Sequence, residues 1–252
     1  MSRKIDVVCF SGTGNTSLIV NYIVNILNEK GIEVRQKLWT EPYIPKEGNE
    51  LILAFPANSQ AVSPYVWKYI KRLPGGNGNK VYALITLNES AAILSPLRKL
   101  LLKKKYVPQG AVEISMPNNL VTGDDNTHKR LKDAFIKAGH FALDLINGNL
   151  SWKECNKGSA FVSFLSRNTV LPWVAMRMLF KLEVDERKCT KCGLCIKECP
   201  VKNIKMADFP VHMGKCEFCM RCGAFCKNGA VYIKGKPDLK IRCANHQEEP
   251  VC

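Results

Sequence analysis

Ile5-Asp6-Val7-Val8-Cys9-Phe10 runs directly into Ser11-Gly12-Thr13-Gly14-Asn15-Thr16, and the fold follows from how this stretch reads. The first six residues form a short apolar run, the pattern of a parallel strand buried on both faces. From Ser17, Leu18, Ile19 and Val20 a helical pattern continues to about Glu29 and stops at Gly31. A strand, a Gly/Ser/Thr loop and a helix N-terminus in that order make an anion cradle. Glycines allow a sharp turn, free N–H groups point at the anion, and hydroxyls add donors. No lysine follows the loop, so it is not a Walker A site, and the GxGxxG spacing is absent as well. The alternative is a glycine turn that holds no ligand.

Further strands are expected at 32–38, 51–55, 80–87 and 110–116, alternating with helices near 63–72, 91–104 and 128–147. In the last helix Leu131, Ala134, Phe135, Ala138, Ala142 and Leu145 form one apolar stripe, and Gly148 supplies a stop. Alternating strands and helices predict a doubly wound parallel α/β sheet of order 2-1-3-4-5, with ligand at the switch point between strands one and three. Phe10 to Thr16 closely resembles the FMN phosphate loop of flavodoxins, and the resemblance covers roughly residues 3–150.

The other end of the chain carries a repeated cysteine pattern. Cys189-x2-Cys192-x2-Cys195-x3-Cys199 recurs 27 residues later as Cys216-x2-Cys219-x2-Cys222-x3-Cys226. These gaps match the bacterial two-cluster ferredoxin run, in which each motif gives three ligands to one [4Fe–4S] cluster and its fourth to the other. On that logic Cys189, Cys192, Cys195 and Cys226 hold one cluster, and Cys216, Cys219, Cys222 and Cys199 the other. Zinc ribbons use separated pairs rather than triplets. A disulfide framework belongs to small secreted chains, whereas Met1-Ser2-Arg3-Lys4 leads into a strand with no signal peptide. Pro200 follows Cys199, but Lys227 follows Cys226, so the second motif departs from the pattern there.

Together the two halves resemble a flavodoxin–ferredoxin fusion protein, a family found mostly in anaerobes. The resemblance implies two [4Fe–4S] clusters and FMN in an α+β two-cluster ferredoxin domain and a flavodoxin-like domain. It implies FMN contacts from Ser11, Gly12, Thr13, Gly14, Asn15 and Thr16, and from a second loop, Pro56, Ala57, Asn58 and Ser59, ending at Gln60. A third loop would hold Asn88, Glu89 and Ser90, and Asn118 lies in a flavin-side turn after the fifth strand. Neither loop contains Trp, Tyr or Phe; Tyr65 and Trp67 come later, on a helix. FMN would then be held mainly by its phosphate and backbone contacts, with an open ring face.

The expected domains are 1–150 (FMN), 151–181 (apolar connector), 182–236 (clusters) and 237–252 (C-terminal tail). Residues 159–180 are rich in apolar side chains, but Arg167, Pro172 and Arg177 leave uncharged runs too short to span a bilayer. They read as a helix or helix pair packing the two halves together, with peripheral membrane contact or partner docking as alternatives. Cys9 reads as a small core residue, while Cys155, Cys243 and Cys252 fall outside the motif. The four histidines show no ligand spacing, and no Ser-His-Asp, HExxH or paired-carboxylate arrangement occurs.

The formal charge is +15. Two oxidised clusters would bring it to about +11, and a flavin phosphate about two lower. The remainder would steer an acidic redox protein, such as a ferredoxin, flavodoxin or reductase, toward the chain. No nucleic-acid recognition motif accompanies the charge. Reduced thiols point to the cytoplasm. The expected function is electron transfer between FMN, the clusters and an external partner. The alternatives are a ferredoxin-dependent flavin reductase of a quinone, nitro compound or enone, and a two-cluster subunit whose flavin domain only docks.

Overall fold

The computed structural model describes residues 3–57, 62–88, 92–121, 127–152, 160–169, 171–236, 239–241 and 244. Strands β1 (Lys4–Cys9), β2 (Glu33–Leu38), β3 (Glu50–Ala57), β4 (Lys80–Leu87) and β5 (Val107–Ser115) pair in parallel in the order β2-β1-β3-β4-β5. Helices α1 (Asn15–Glu29), α2 (Pro64–Arg72) and α3 (Leu94–Lys103) connect them, and α4 (Thr127–Asn147) follows. This is the flavodoxin-like doubly wound order, with its switch point between β1 and β3.

Alternation along each strand builds two cores. Val8, Leu51, Leu53, Phe55, Val81 and Ile85 face α2 and α3. Ile5, Val7, Ile52, Ala54 and Leu84 face α1 and α4, where Ile19, Ile23, Leu27, Ala138 and Leu145 meet them. The central strands are therefore apolar on both faces, as a sheet covered by helices requires. Asp6, in β1, is a fully buried charge among them. Its carboxylate accepts from Arg35 Nε (2.7 Å) and Nη2 (2.9 Å), from the Tyr43 hydroxyl and from Asn49 Nδ2. Burial and this carboxylate together push the Tyr43 phenol far above its ordinary range.

A short strand, β6 (Leu120–Val121), extends from the end of β5. The connector forms two helices, α5 (Ala160–Asn168) and α6 (Leu171–Leu179). α5 leans on the sheet domain: Ser163 Oγ donates to the Ala92 carbonyl, and the Arg167 guanidinium lies 5.3 Å over the Trp67 ring. α6 leans on the cysteine domain, burying Trp173 in its core, and Arg177 Nε donates to the Cys216 carbonyl at 2.9 Å.

The cysteine domain is small and internally repeated. β7 (Leu182–Val184) pairs antiparallel with β10 (Val231–Ile233), and β8 (Ile204–Met206) with β9 (Pro210–His212). The one-turn helices α7 (Leu194–Lys197) and α8 (Arg221–Ala224) lie 27 residues apart, as do β8 and β10. Left-handed backbone recurs at the same interval: Lys191 and Phe218, Gly193 and Met220, Lys202 and Gly229. Finally β11 (Lys240–Ile241) pairs antiparallel with β6, and Leu239 and Ile241 pack on the cysteine-domain core. Among the described residues no helix is long and apolar enough to cross a membrane.

Candidate cofactor-binding sites

The loop Ser11–Gly14 lies at the C-terminal end of β1, where α1 begins. Gly14 caps α1 at φ 100°, a conformation that favours glycine, and no side chain caps the first turn. The N–H groups of Gly12, Thr13 and Gly14 have no acceptor among the described residues. Ser11 Oγ is buried and also without a partner there. Unsatisfied buried donors at the positive end of a fifteen-residue helix are the makings of an anion site.

A cleft with about 460 Å³ of empty space, part of it open to solvent, lies on this loop. Ser11, Gly12, Thr13, Asn15 and Thr16 line it, joined by Pro56 at the end of β3, Thr86 to Asn88 at the end of β4, and Met116 to Asn119 after β5. Thr16 Oγ1 is 2.7 Å from Thr86 Oγ1, and Asn15 Nδ2 donates to the Pro117 carbonyl and to Asn119 Oδ1 (2.8 Å). These bonds tie the ends of β4 and β5 to the helix start. Asn118 uses its side chain locally, accepting from Leu120 N–H. Ala57 is buried in β3, and Asn88 Oδ1 accepts from Arg130 of α4. Asn58, Ser59, Gln60, Glu89 and Ser90 lie outside the described residues, as do Cys155, Cys243 and Cys252.

Cys219 lines the same cleft. A Cβ added to Gly12 would stand 2.0 Å from the Cys219 carbonyl oxygen, so only glycine permits this approach. Four hydrogen bonds brace it. Arg221 Nη1 donates to the Ser11 carbonyl at 2.8 Å, and Ala244 N–H to the Thr13 carbonyl at 2.8 Å. Glu217 accepts from Ser63 Oγ and Tyr65 N–H, each at 2.7 Å, at the start of α2. The outward carbonyls of the loop are thus held from outside while its N–H groups stay free.

The cysteines gather into two groups of four. Cys189, Cys192, Cys195 and Cys226 line one cavity. Burial first, and then the neighbouring Cys226, Cys189 and Cys192 sulfurs, push the Cys195 thiol up. In the second group burial pushes Cys219 up to about 12, with Cys216 and Cys199 adding to it. Cys222 is also held well above the usual thiol range, again by burial first and then chiefly by Cys219, Cys216 and Cys199. Clustered thiols resist ionising alone; binding iron is what makes them thiolates. Among the described residues no three His, Cys, Asp or Glu side chains converge on a single-ion site. The first group instead surrounds a space, as ligands of a multi-atom cluster must.

Backbone N–H groups point at the sulfurs in the same repeated pattern. Lys191 N–H donates to Cys189 and Phe218 N–H to Cys216, both at 3.4 Å. Asn203 N–H donates to Cys199 and Ala230 N–H to Cys226, both at 3.2 Å. The departure from proline at Lys227 therefore leaves the turn after Cys226 intact. One side chain joins in: His212 Nε2 lies 3.7 Å from Cys222 Sγ.

Residues 182–205 match the model of the 4Fe-4S binding domain family. The chain carries a [4Fe–4S] binding domain behind a flavodoxin-like domain. A 53-residue stretch is 40% identical to an uncharacterized protein of Methanocaldococcus jannaschii, and this covers 21% of each chain, about a fifth of that relative's length. Similar solved structures include a Streptococcus pneumoniae flavodoxin, 13% identical with a TM-score of 0.37, covering 55% of this chain and 99% of that one. Another is an NAD(P)H:quinone oxidoreductase from Methanothermobacter marburgensis, 13% identical with a TM-score of 0.41, covering 57% of this chain and all of that one. The strand order, not these distant likenesses, fixes the sheet domain's fold.

Arg221, Glu217 and Thr86 were not foreseen from sequence, whereas Pro117 belongs to the expected flavin-side turn Met116–Asn119. A signal for the first two existed. Aligning the two motifs at their 27-residue offset sets Glu217 against Thr190 and Arg221 against Leu194. Those charged departures are the residues that reach the sheet domain.

Proposed function

We propose that this chain is an electron-transfer iron–sulfur flavoprotein that binds FMN and two [4Fe–4S] clusters and exchanges electrons with an external acidic redox protein. The observation that carries the reading is the position of Cys219, a cluster ligand on this assignment, in the cleft built by the phosphate loop. When bound, FMN supplies one- and two-electron chemistry and each cluster one-electron chemistry. The chain's own residues do the positioning.

In this proposal Ser11 to Thr16 hold the phosphate, with Pro56, Asn88 and Asn118 along the strand ends, and Asn58, Ser59, Glu89 and Ser90 in the loops beside them. Cys216, Cys219, Cys222 and Cys199 hold the cluster proximal to the cleft. Cys189, Cys192, Cys195 and Cys226 hold the distal one. Cys192 is exposed, and exposed Lys188, Lys191 and Lys227 stand around that motif, a surface suited to an acidic partner. The functional units are then 1–150, 151–181, 182–236 and 237–252.

Anaerobic reconstitution with iron, sulfide and FMN tests this directly. The expected product holds about eight irons and one FMN per chain. Four irons, or no retained FMN, would overturn it.

A further inference from the structure

α5 and α6 form a helix pair whose inner side is spoken for. Ser163, Ser166 and Trp173 are buried, Trp173 Nε1 donates to the Ser166 carbonyl, and Arg177 is bonded to the Cys216 loop. The outer side carries Phe161, Phe164, Leu171, Val174, Met178 and Leu179, all exposed; Met178 retains 82% of its surface and Leu179 75%. Helical spacing stacks Phe161 over Phe164, and Leu171, Val174 and Met178 over one another. Large apolar side chains at such exposure on adjacent helices mark an interaction face rather than scattered surface residues.

The charges around this face decide what covers it. No Asp or Glu occurs from Asn156 through Leu182; Arg167 and Arg177 in that span turn inward, onto the Trp67 ring and the Cys216 carbonyl, and Lys181 follows α6 exposed. Exposed Lys181 and Lys234 share a single carboxylate, Glu183, and Lys236 lies 5.0 Å over the Phe180 ring. A second copy of this chain would bring an equally basic rim against this one. A soluble acidic protein would pair with the lysines but leave protruding phenylalanine, leucine and methionine side chains poorly matched. Apolar side chains outermost with basic groups at their flanks suit an anionic lipid surface, where the former enter the acyl boundary and the latter meet the headgroups.

We propose that the outer face of α5 and α6 docks this protein peripherally on anionic membranes. The proposal is independent of the electron-transfer reading, because it rests on a face that lines neither cleft. Arg177 links the face to the Cys216 loop, so docking would bring one cysteine group close to the lipid surface.

The test is flotation of the full-length, cofactor-loaded protein. It should float with vesicles of mixed phosphatidylglycerol and phosphatidylcholine, and much less with phosphatidylcholine alone. Raising salt should weaken binding. The double variant L171E/M178E, with iron content unchanged, should lower the partition coefficient by at least about tenfold. Hydrogen exchange of the wild-type protein should show protection of 160–179 with anionic vesicles, which keeps the test decisive if the variant misfolds. Failure of the wild-type protein to float would overturn the proposal, as would full binding by the folded variant. So would a wild-type dimer that the variant dissociates, which would make this face a protein interface instead.

Discussion

At Gly12 and Cys219 the backbones of the two domains meet with no room for a side chain. A valine at position 12 must displace the Cys219 carbonyl or move the phosphate loop, because both neighbours are backbone and neither can swing aside. In G12V the response of the flavin absorbance to cluster reduction should slow by at least about tenfold, with iron content retained; stopped-flow spectroscopy would read it. An unchanged rate would mean that this contact does not set the coupling. His212 makes a separable prediction. Hydrogen bonds to cluster sulfurs raise the reduction potential, and removing a donor lowers it. H212L should therefore shift the proximal cluster's potential downward in a redox titration, leaving the distal one unmoved. Sequence reading had Gly12 in the phosphate loop and Cys219 among the cluster ligands, but not the contact between them. As for the glycine, its partner lies 207 positions away by number (219 − 12), and nothing local announces the pairing.

At the scale of elements, periodicity was the reliable guide. β1, β3 and β4 are apolar on both faces and α4 carries a clean stripe, so their existence and type were legible from the residues. The connector's apolar run reads as a helix or helix pair, and α5 and α6 are two helices. What escaped was β6 with β11. Two-residue strands carry no period to detect, and their pairing joins positions 120–121 to 240–241. That clasp is more than decoration. Removing residues 237–252 would expose the core face covered by Leu239 and Ile241 and delete the Ala244 bond to Thr13. The truncated chain should lose roughly 2–4 kcal/mol of stability, seen as a lower midpoint in anaerobic thermal unfolding. A midpoint equal to that of the full chain would show that the clasp contributes nothing.

For the whole molecule, charge is the property that neither fold nor cofactors remove. With a formal +15 spread over both domains, electron exchange with an acidic ferredoxin should slow as ionic strength rises, since the steering field is screened within about 10 Å at 0.1 M salt. A rate indifferent to salt would point to a neutral or small-molecule partner. The hold on the phosphate loop has a further consequence, one of supply. The carbonyls of Ser11 and Thr13 are gripped by Arg221 and by Ala244, residues that find their places only once the cysteine domain has folded. A domain of that size, organised around its ligands, folds with its metal. Starving a cell of iron should thus empty the flavin site too, although FMN itself is plentiful.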